Sequence, residues 1–232
     1  MAVPAPTFED TNFNTATWIK SGSPLLASDQ FGTDNTFALD GNNDLITYTG
    51  SEFILTGVAH TISGWFLTTD AGGNDMWNER GGISGGGFFT RTTLGGLLLI
   101  QFENTLVTTP FTRITSVSSV VGGTWNHYSC AVNGTSIRLV LNGVDEGTVL
   151  LSGGGYTTPG TEGFPMIFGN NNPGSGAWAG TPSKPKLWAT TELNLAEQQE
   201  EHANEVALIP SPGGTPRSRL ITILGAGAAR SA

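Results

Sequence analysis

The stretch that most limits what this chain can become runs from Thr124 to Leu150 and reads TWNHYSCAVNGTSIRLVLNGVDEGTVL. Two Asn-Gly pairs, Asn133-Gly134 and Asn142-Gly143, divide it into three short runs. Asn-Gly accepts positive φ at both positions, which the two-residue hairpin turn matched to strand twist requires. Trp125, His127, Ser129 and Ala131 fall on one side of the first run, and Asn126, Tyr128, Cys130 and Val132 on the other. Ile137, Leu139 and Leu141 share a face opposite Arg138 and Val140. A period of two marks strands with at least one buried face. The stretch predicts a three-stranded antiparallel meander with two tight turns.

The rest of the chain reads as more of the same. Glycine is frequent, at 33 of 232 residues, and charged residues make up only 12%, the profile of an all-β chain with many turns. Further strands are expected around Phe37–Leu39, at Leu45–Tyr48 and at His60–Leu67, where Ile62, Gly64 and Phe66 oppose Thr61, Ser63 and Trp65. Others follow at Leu97–Phe102, Arg113–Val117, Pro165–Gly169, Ala177–Gly180 and Lys186–Trp188. Residues 70–96 read as a long Gly-rich region with short strands at Ile83 and Phe88–Thr90. One helix is expected, from Leu195 to about Val206, with Asn194 as cap and Glu197 at capping-box spacing. Its Glu197, Gln198, Glu200, Glu201 and Glu205 are expected to be solvated, which makes it a surface helix.

Charge and cysteine narrow the function classes. The formal net charge of −9 argues against a nucleic-acid partner and against an anionic membrane surface. There is no apolar run of about 20 residues, so no membrane span is expected. The start, MAVPAPTFED, has no basic segment and no apolar one, so no secretory signal is expected. The lone Cys130 excludes an internal disulfide, reads as a small buried side chain and suits synthesis in a reducing compartment. The charge is also uneven. Residues 1–205 carry seven bases and nineteen acids, a net −12, whereas 206–232 carries three arginines and no acid. Pro210–Pro216 reads as a semi-extended linker, and beyond it stands the apolar, β-prone run Leu220-Ile-Thr-Ile-Leu224.

The order of these pieces resembles the laminin G-like (pentraxin-type) branch of the concanavalin A-like lectin/glucanase superfamily. The resemblance rests on Phe31-Gly32, Ala38-Leu39-Asp40-Gly41 and Asp44-Leu45-Ile46, then the strand Thr61–Trp65, then Trp125, His127 and Tyr128. It continues through the Leu139–Gly143 hairpin, Ile167–Gly169, the Trp178 and Trp188 segments and a helix from Leu195. It implies an all-β, two-sheet antiparallel jelly-roll sandwich with one short C-terminal surface helix and an extended tail. The implied organisation is an N-terminal arm and first strand over 1–30, the jelly roll over 31–206, and a Pro/Gly-rich linker and interaction tail over 207–232. Enzymes of the superfamily are glycoside hydrolases with carboxylates alternating along one strand, since the chemistry needs two of them close together. No E-x-D-x-E pattern exists here, and the adjacent Asp145 and Glu146 point to opposite faces. No catalytic residue and no enzymatic activity are therefore expected.

Three candidate sites remain. Asp40, Asn42 and Asp44 have the D-x-N-x-D spacing that offers three oxygens to Ca²⁺, but Leu45 stands where an EF-hand has Gly and Ser51 where it has an acid. The competing reading is a self-bonded Asx turn. Calcium apart, no cofactor is expected. His60, His127 and His202 lack partners at metal-ligand spacing. Trp77, Asn78 and Arg80, flanked by Asp75 and Glu79, form a carbohydrate candidate, since Trp stacks on sugar faces while Asn and Arg bond hydroxyls. Asn170 and Asn171 with Trp178 form a second. The competing reading makes these tryptophans anchors for long loops. The Gly81–Gly87 cluster lacks the Lys-Ser/Thr of a phosphate loop. In the tail, Arg217, Arg219, Leu220, Ile221, Ile223 and Leu224 suit addition to a sheet edge, on this chain or a neighbour.

The function expected from these features is a non-enzymatic structural or decorating protein of a virus or phage particle. It would be made in the cytoplasm, located in the virion and assembled through its terminal arms as a homo-oligomer or with other virion proteins. The alternative is a carbohydrate-binding lectin or adhesin, extracellular and calcium-assisted, that takes a surface glycan.

Overall fold

The computed structural model describes residues 2–13, 15, 17–33, 35–49, 59–69, 75–80, 87–103, 112–151, 166–169 and 178–210. In chain order the strands are β1 (Phe8–Glu9), β2 (Trp18–Ser21), β3 (Leu25–Ala27), β4 (Thr36–Asp40), β5 (Leu45–Tyr48), β6 (Ala59–Thr68), β7 (Asp75–Arg80) and β8 (Gly87–Thr92). They continue with β9 (Leu97–Glu103), β10 (Thr112–Ser119), β11 (Trp125–Asn133), β12 (Ser136–Leu141), β13 (Val144–Leu150), β14 (Ile167–Gly169) and β15 (Ala179–Trp188), and a helix, α1, spans Leu195–Val206. An eight-stranded sheet has the order β13-β12-β11-β6-β15-β4-β3, with β1 also on β15. A seven-stranded sheet has the order β10-β9-β8-β7-β14-β5-β2. Every pairing is antiparallel, and the two sheets face each other as the jelly-roll sandwich that the pattern predicts.

The meander β11–β12–β13 forms, but its two turns differ. Asn142 (φ 51°) and Gly143 (φ 78°) are the two residues between paired Leu141 and Val144, the tight turn expected. At the other Asn-Gly the last paired residues are Val132 and Ile137, so the connection is longer than two residues. Asn133 acts there as a side-chain cap: its Oδ1 accepts from the amides of Thr135 and Ser136 at 3.0 and 2.9 Å. The Asx side chain has replaced the tight turn with a local hydrogen-bonded one.

At the centre, β6 pairs with β11 from Ala59↔Asn133 to Leu67↔Trp125 and with β15 on its other side. Its two faces have different jobs. Ile62 and Phe66 join Tyr128, Cys130, Val132 and Leu139 in the interior, against Ile46, Ile100, Ile114 and Phe168 of the other sheet. Each such side chain contributes roughly 1.5–3 kcal/mol on burial. Thr61, Ser63 and Trp65 face the opposite way and are also buried. Gly64 leaves a void of about 10 Å³ between Tyr128, Met76, Phe168 and Trp178, room for at most one water. Cys130 is buried, and burial pushes its thiol up, away from reactivity.

Two expectations need correction. Asp75–Arg80 is not part of a loop but a strand near the middle of the seven-stranded sheet, between β8 and β14. Its polar sequence DMWNER hides it, because no alternation survives the bulge between Asp75 and Trp77. Ile83 lies outside the described residues. The second correction joins Ala177–Gly180 and Lys186–Trp188, whose described parts form one strand, β15, despite Pro182 and Pro185. β15 pairs with β4 at Ala179 and Gly180 and with β1 at Lys186 and Leu187. The prolines sit in the gap between those two ladders, where no amide is needed on that edge.

The N-terminal segment lies on its own sheet. The Thr7 amide donates to Leu187 O at 2.7 Å, and Trp188 Nε1 donates to Pro4 O at 2.9 Å. At the other end of β15, Trp178 is fully buried and donates from Nε1 to Thr68 Oγ1 at 3.2 Å. Gly180 makes that fit: a Cβ added to it would stand 2.5 Å from Leu67 O and against the Trp178 ring. Gly180→Ala is therefore expected to cost about 1–3 kcal/mol of stability, read as a thermal midpoint lowered by several degrees. An unchanged midpoint would show that the strand can shift to admit a methyl.

Candidate functional site

The most chemically loaded place among the described residues lies between α1 and the eight-stranded sheet. Asn194 caps the helix as expected: its Oδ1 accepts from Glu197 N at 3.1 Å while the Asn194 amide donates to Glu197 Oε2 at 2.9 Å. The helix is not a solvated one, however. Gln198, Glu201 and Glu205 recur at helical spacing and are 0%, 4% and 3% exposed, so this polar stripe is the docked face.

The sheet answers with polar groups on the face turned from the core. Gln198 Nε2 donates to Ser129 O and Ser129 Oγ at 3.1 and 3.0 Å. Glu201 accepts from Ser63 Oγ at 3.0 Å, faces Lys186 Nζ at 3.0 Å and lies 3.1 Å from His127 Nε2. Glu205 accepts from Trp65 Nε1, pairs with Lys186 and lies 2.7 Å from Lys184 Nζ, which also reaches Glu9 at 3.3 Å. His202 stacks on Trp65 with centroids 5.8 Å apart and meets His127 at 5.2 Å. Thr61 closes the far end, donating to Thr191 O and accepting from Leu193 N.

A bulge in β15 supplies the lysines. Ser183 pairs with Trp65 and Lys186 with Ser63, so β15 has two residues between these partners where β6 has one. Lys184 takes a left-handed conformation (φ 48°), unusual for a side-chain-bearing residue. The bulge thereby gives the helix two ammonium groups from three consecutive positions.

The electrostatics follow from the neighbours. Burial works against charge on Glu201, but His127 and Lys186 outweigh it and hold its carboxyl down at about 2. Burial likewise opposes charge on Glu205, and Lys186, with His127 and Lys184, still holds it low. Lys186 is desolvated too, yet the two glutamates push it up. His202 is held low by burial and by His127. His127, Glu201 and Glu205 offer donor atoms within 4.8 Å of one another, a set able by type to hold a divalent ion. The Lys186 ammonium bridges both carboxylates, so the chain itself supplies the cation.

The residues singled out by sequence are distributed differently. Asp44 is buried, and its carboxylate accepts from Ser23 N at 2.6 Å and Asp40 N at 3.1 Å, while Asp40 Oδ1 accepts from Asn42 N at 2.8 Å. Asp40, Asn42 and Asp44 thus form a self-bonded turn, the competing reading to calcium. Trp178 is a core side chain with no face left for a sugar. Trp77, Asn78 and Arg80 are located by their backbone in β7, paired with Phe168, with Ile167 and Phe89, and with Gly87 respectively. Asn170, Asn171, Arg217, Arg219, Leu220, Ile221, Ile223 and Leu224 lie outside the described residues. Glu146 is buried at the sandwich edge, accepting from Val117 N and Ser118 N at 2.5 and 2.8 Å, and is not half of a catalytic pair with Asp145. Sequence reading missed the ion-pair cluster. Its signals were the stripe Gln198, Glu201, Glu205 and the Lys-Pro-Lys of β15.

Glu201 has a folded pKa below its unfolded value of about 4.3, so its contribution is complete above that value and is lost as pH falls toward 2. Glu205 and His202, also held low, lose theirs in the same direction. Thermal midpoints are expected to hold near neutrality and fall steeply between about pH 5 and 2. Glu201→Gln should lower neutral-pH stability by roughly 3–5 kcal/mol and flatten that acid limb. A variant that keeps the acid limb would place the titrating group elsewhere.

No curated protein matches this chain by sequence. Among solved structures, the receptor-binding domain of botulinum neurotoxin mosaic serotype C/D, with tetraethylene glycol bound on its Hcn sub-domain, matches with a TM-score of 0.64 at 13% identity. That match covers 87% of this chain and 51% of the other. Botulinum neurotoxin type C, which depends on interaction with two ganglioside molecules to get into cells, matches at 0.60 and 12% identity, over 81% and 46%. The binding domain of botulinum neurotoxin DC in complex with SialylT matches at 0.60 and 11%, over 81% and 46%. The chain spans about half the length of these structures. A family model of laminin G type matches residues 39–197, more than half of the chain, and on that match the protein belongs to the concanavalin A-like lectin/glucanases superfamily.

Proposed function

We propose that this protein is a non-enzymatic recognition module that binds glycans at the junction of β7 and β14. The observation that carries the reading is topological. The two carbohydrate candidates lie about ninety residues apart in sequence, yet Trp77 pairs with Phe168 and Asn78 with Ile167 in adjacent strands. Asn170 and Asn171 follow β14 directly in the chain. Asn78 and Arg80 fall on the same side of β7, away from the side that Trp77 shares with Phe168, and an amide with a guanidinium has the directional donors that sugar recognition uses. The similar structures add support, since the type C toxin depends on gangliosides and the DC binding domain is complexed with SialylT. The buried acids under α1 favour a binding role over hydrolysis, because each is occupied by a lysine.

A glycan array probed with the full chain should give a reproducible set of hits among sialylated or neutral oligosaccharides. Asn78→Ala and Arg80→Ala should each weaken the best hit by at least about tenfold, ~1.4 kcal/mol, with the thermal midpoint kept. Chelator should change nothing, because the Asp44 oxygens are engaged by backbone amides. An array without hits, or hits indifferent to both variants, would contradict the reading.

A second reading, a structural or decorating subunit of a virus or phage particle, draws on the side of the sandwich where β10 and β13 end the two sheets. Val117 and Leu150 stand there 83% and 78% exposed, a composition suited to contact between subunits. Light scattering on the full chain should then show an oligomer that Val117→Lys with Leu150→Lys dissociates. A wild-type monomer at high concentration would end this reading.

A further inference from the structure

The opposite side of the sandwich poses a different question. Among the described residues β3 is the last strand of the eight-stranded sheet, and its ladder there is with β4 alone. Leu25 and Leu26 are 72% and 53% exposed. Successive residues of a strand point to opposite faces, so apolar surface is bare on both faces at this edge. An apolar edge with open amides and carbonyls is a template for another strand.

The described chain arrives beside it. The Pro210 ring packs next to Gly32, 3.9 Å from where a Cβ would stand, and Gly32 lies five residues beyond the end of β3. Five residues span at most about 17 Å. The nine residues 211–219 span roughly 28 Å when extended by their prolines. They lead into Leu220-Ile-Thr-Ile-Leu224, apolar on both sides of its two-residue period and without a charge. A strand lying beside Leu25 and Leu26 needs that double-sided composition.

We propose that Leu220–Leu224 adds antiparallel to β3 of the same chain and becomes the outermost strand of the eight-stranded sheet. The tether favours the chain's own edge over that of a second copy. A short linker holds the segment at an effective concentration of about millimolar, well above working protein concentrations. The charge asymmetry acts in the same direction, since a tail with three arginines and no acid meets a body of net −12. The other end of the chain already docks this way, with β1 on β15. The inference goes beyond both functional readings and does not rest on either.

Hydrogen–deuterium exchange on the full chain, with light scattering on the same samples, tests it. At low micromolar concentration the amides of 220–224 should exchange at least about tenfold more slowly than in an unstructured peptide, at monomer mass. Leu26→Pro in β3 and Ile223→Pro in the tail should each return them to the unstructured rate. Leu25→Asp with Leu26→Asp should do the same without risk to the strand backbone. Fast exchange in the wild type would overturn the proposal. So would protection that survives the β3 variants, or protection seen only at dimer mass, which would make the occupant a second copy. No glycan enters the readout, so failure here leaves the glycan reading untouched.

Discussion

The helix is fastened to the sandwich by charge matched against charge in a buried place. Ionised side chains are expensive to bury, and only close, well-bonded counter-charges compensate. Glu201 and Glu205 meet that requirement through Lys184, Lys186, His127 and two sheet donors, Ser63 and Trp65. The arrangement fixes where the helix sits along the strands. A one-residue slip would leave a buried carboxylate without its ammonium, whereas an apolar stripe would tolerate several registers. The sandwich thus has two interiors, an apolar one between the sheets and a polar one under α1, with β6 and β11 contributing to both.

That division shapes what the rest of the molecule can do. The prolines of β15 fall in the gap between the β4 and β1 ladders, and the bulge at Lys184 interrupts the β6 ladder only between Ser183 and Lys186. One face of the eight-stranded sheet is committed to the core and the other, at its centre, to the helix. The glycan binding proposed above would therefore fall to the seven-stranded sheet. The lectin-like family to which the chain belongs fits this division.

Much of the fold was legible in the sequence because strand alternation and turn chemistry are local. The meander, the faces of β6 and the capping box of α1 all follow from residues within a few positions of each other. What escaped depends on distant partners. Glu201 and Glu205 read as solvated because acids on a helix usually are, and their lysines come from a strand whose prolines disguised it. Asp75–Arg80 read as a loop because a polar strand with a bulge has no period. Asn133 and Asp44 were ambiguous for another reason. An Asx side chain serves a turn, a cap or a cation equally well until the amides around it are known.

The central claim is that the helix acids are permanent counter-ions of buried lysines. Side-chain carboxyl ¹³C shifts of Glu201, followed by NMR while the full chain is acidified, test it most directly. Glu201 should remain ionised through pH 4, show no inflection before about 2 or acid unfolding, and ignore added Zn²⁺ at neutral pH. A midpoint between 4 and 5, or a shift on adding metal, would contradict the account by making the carboxylate solvated or available as a ligand.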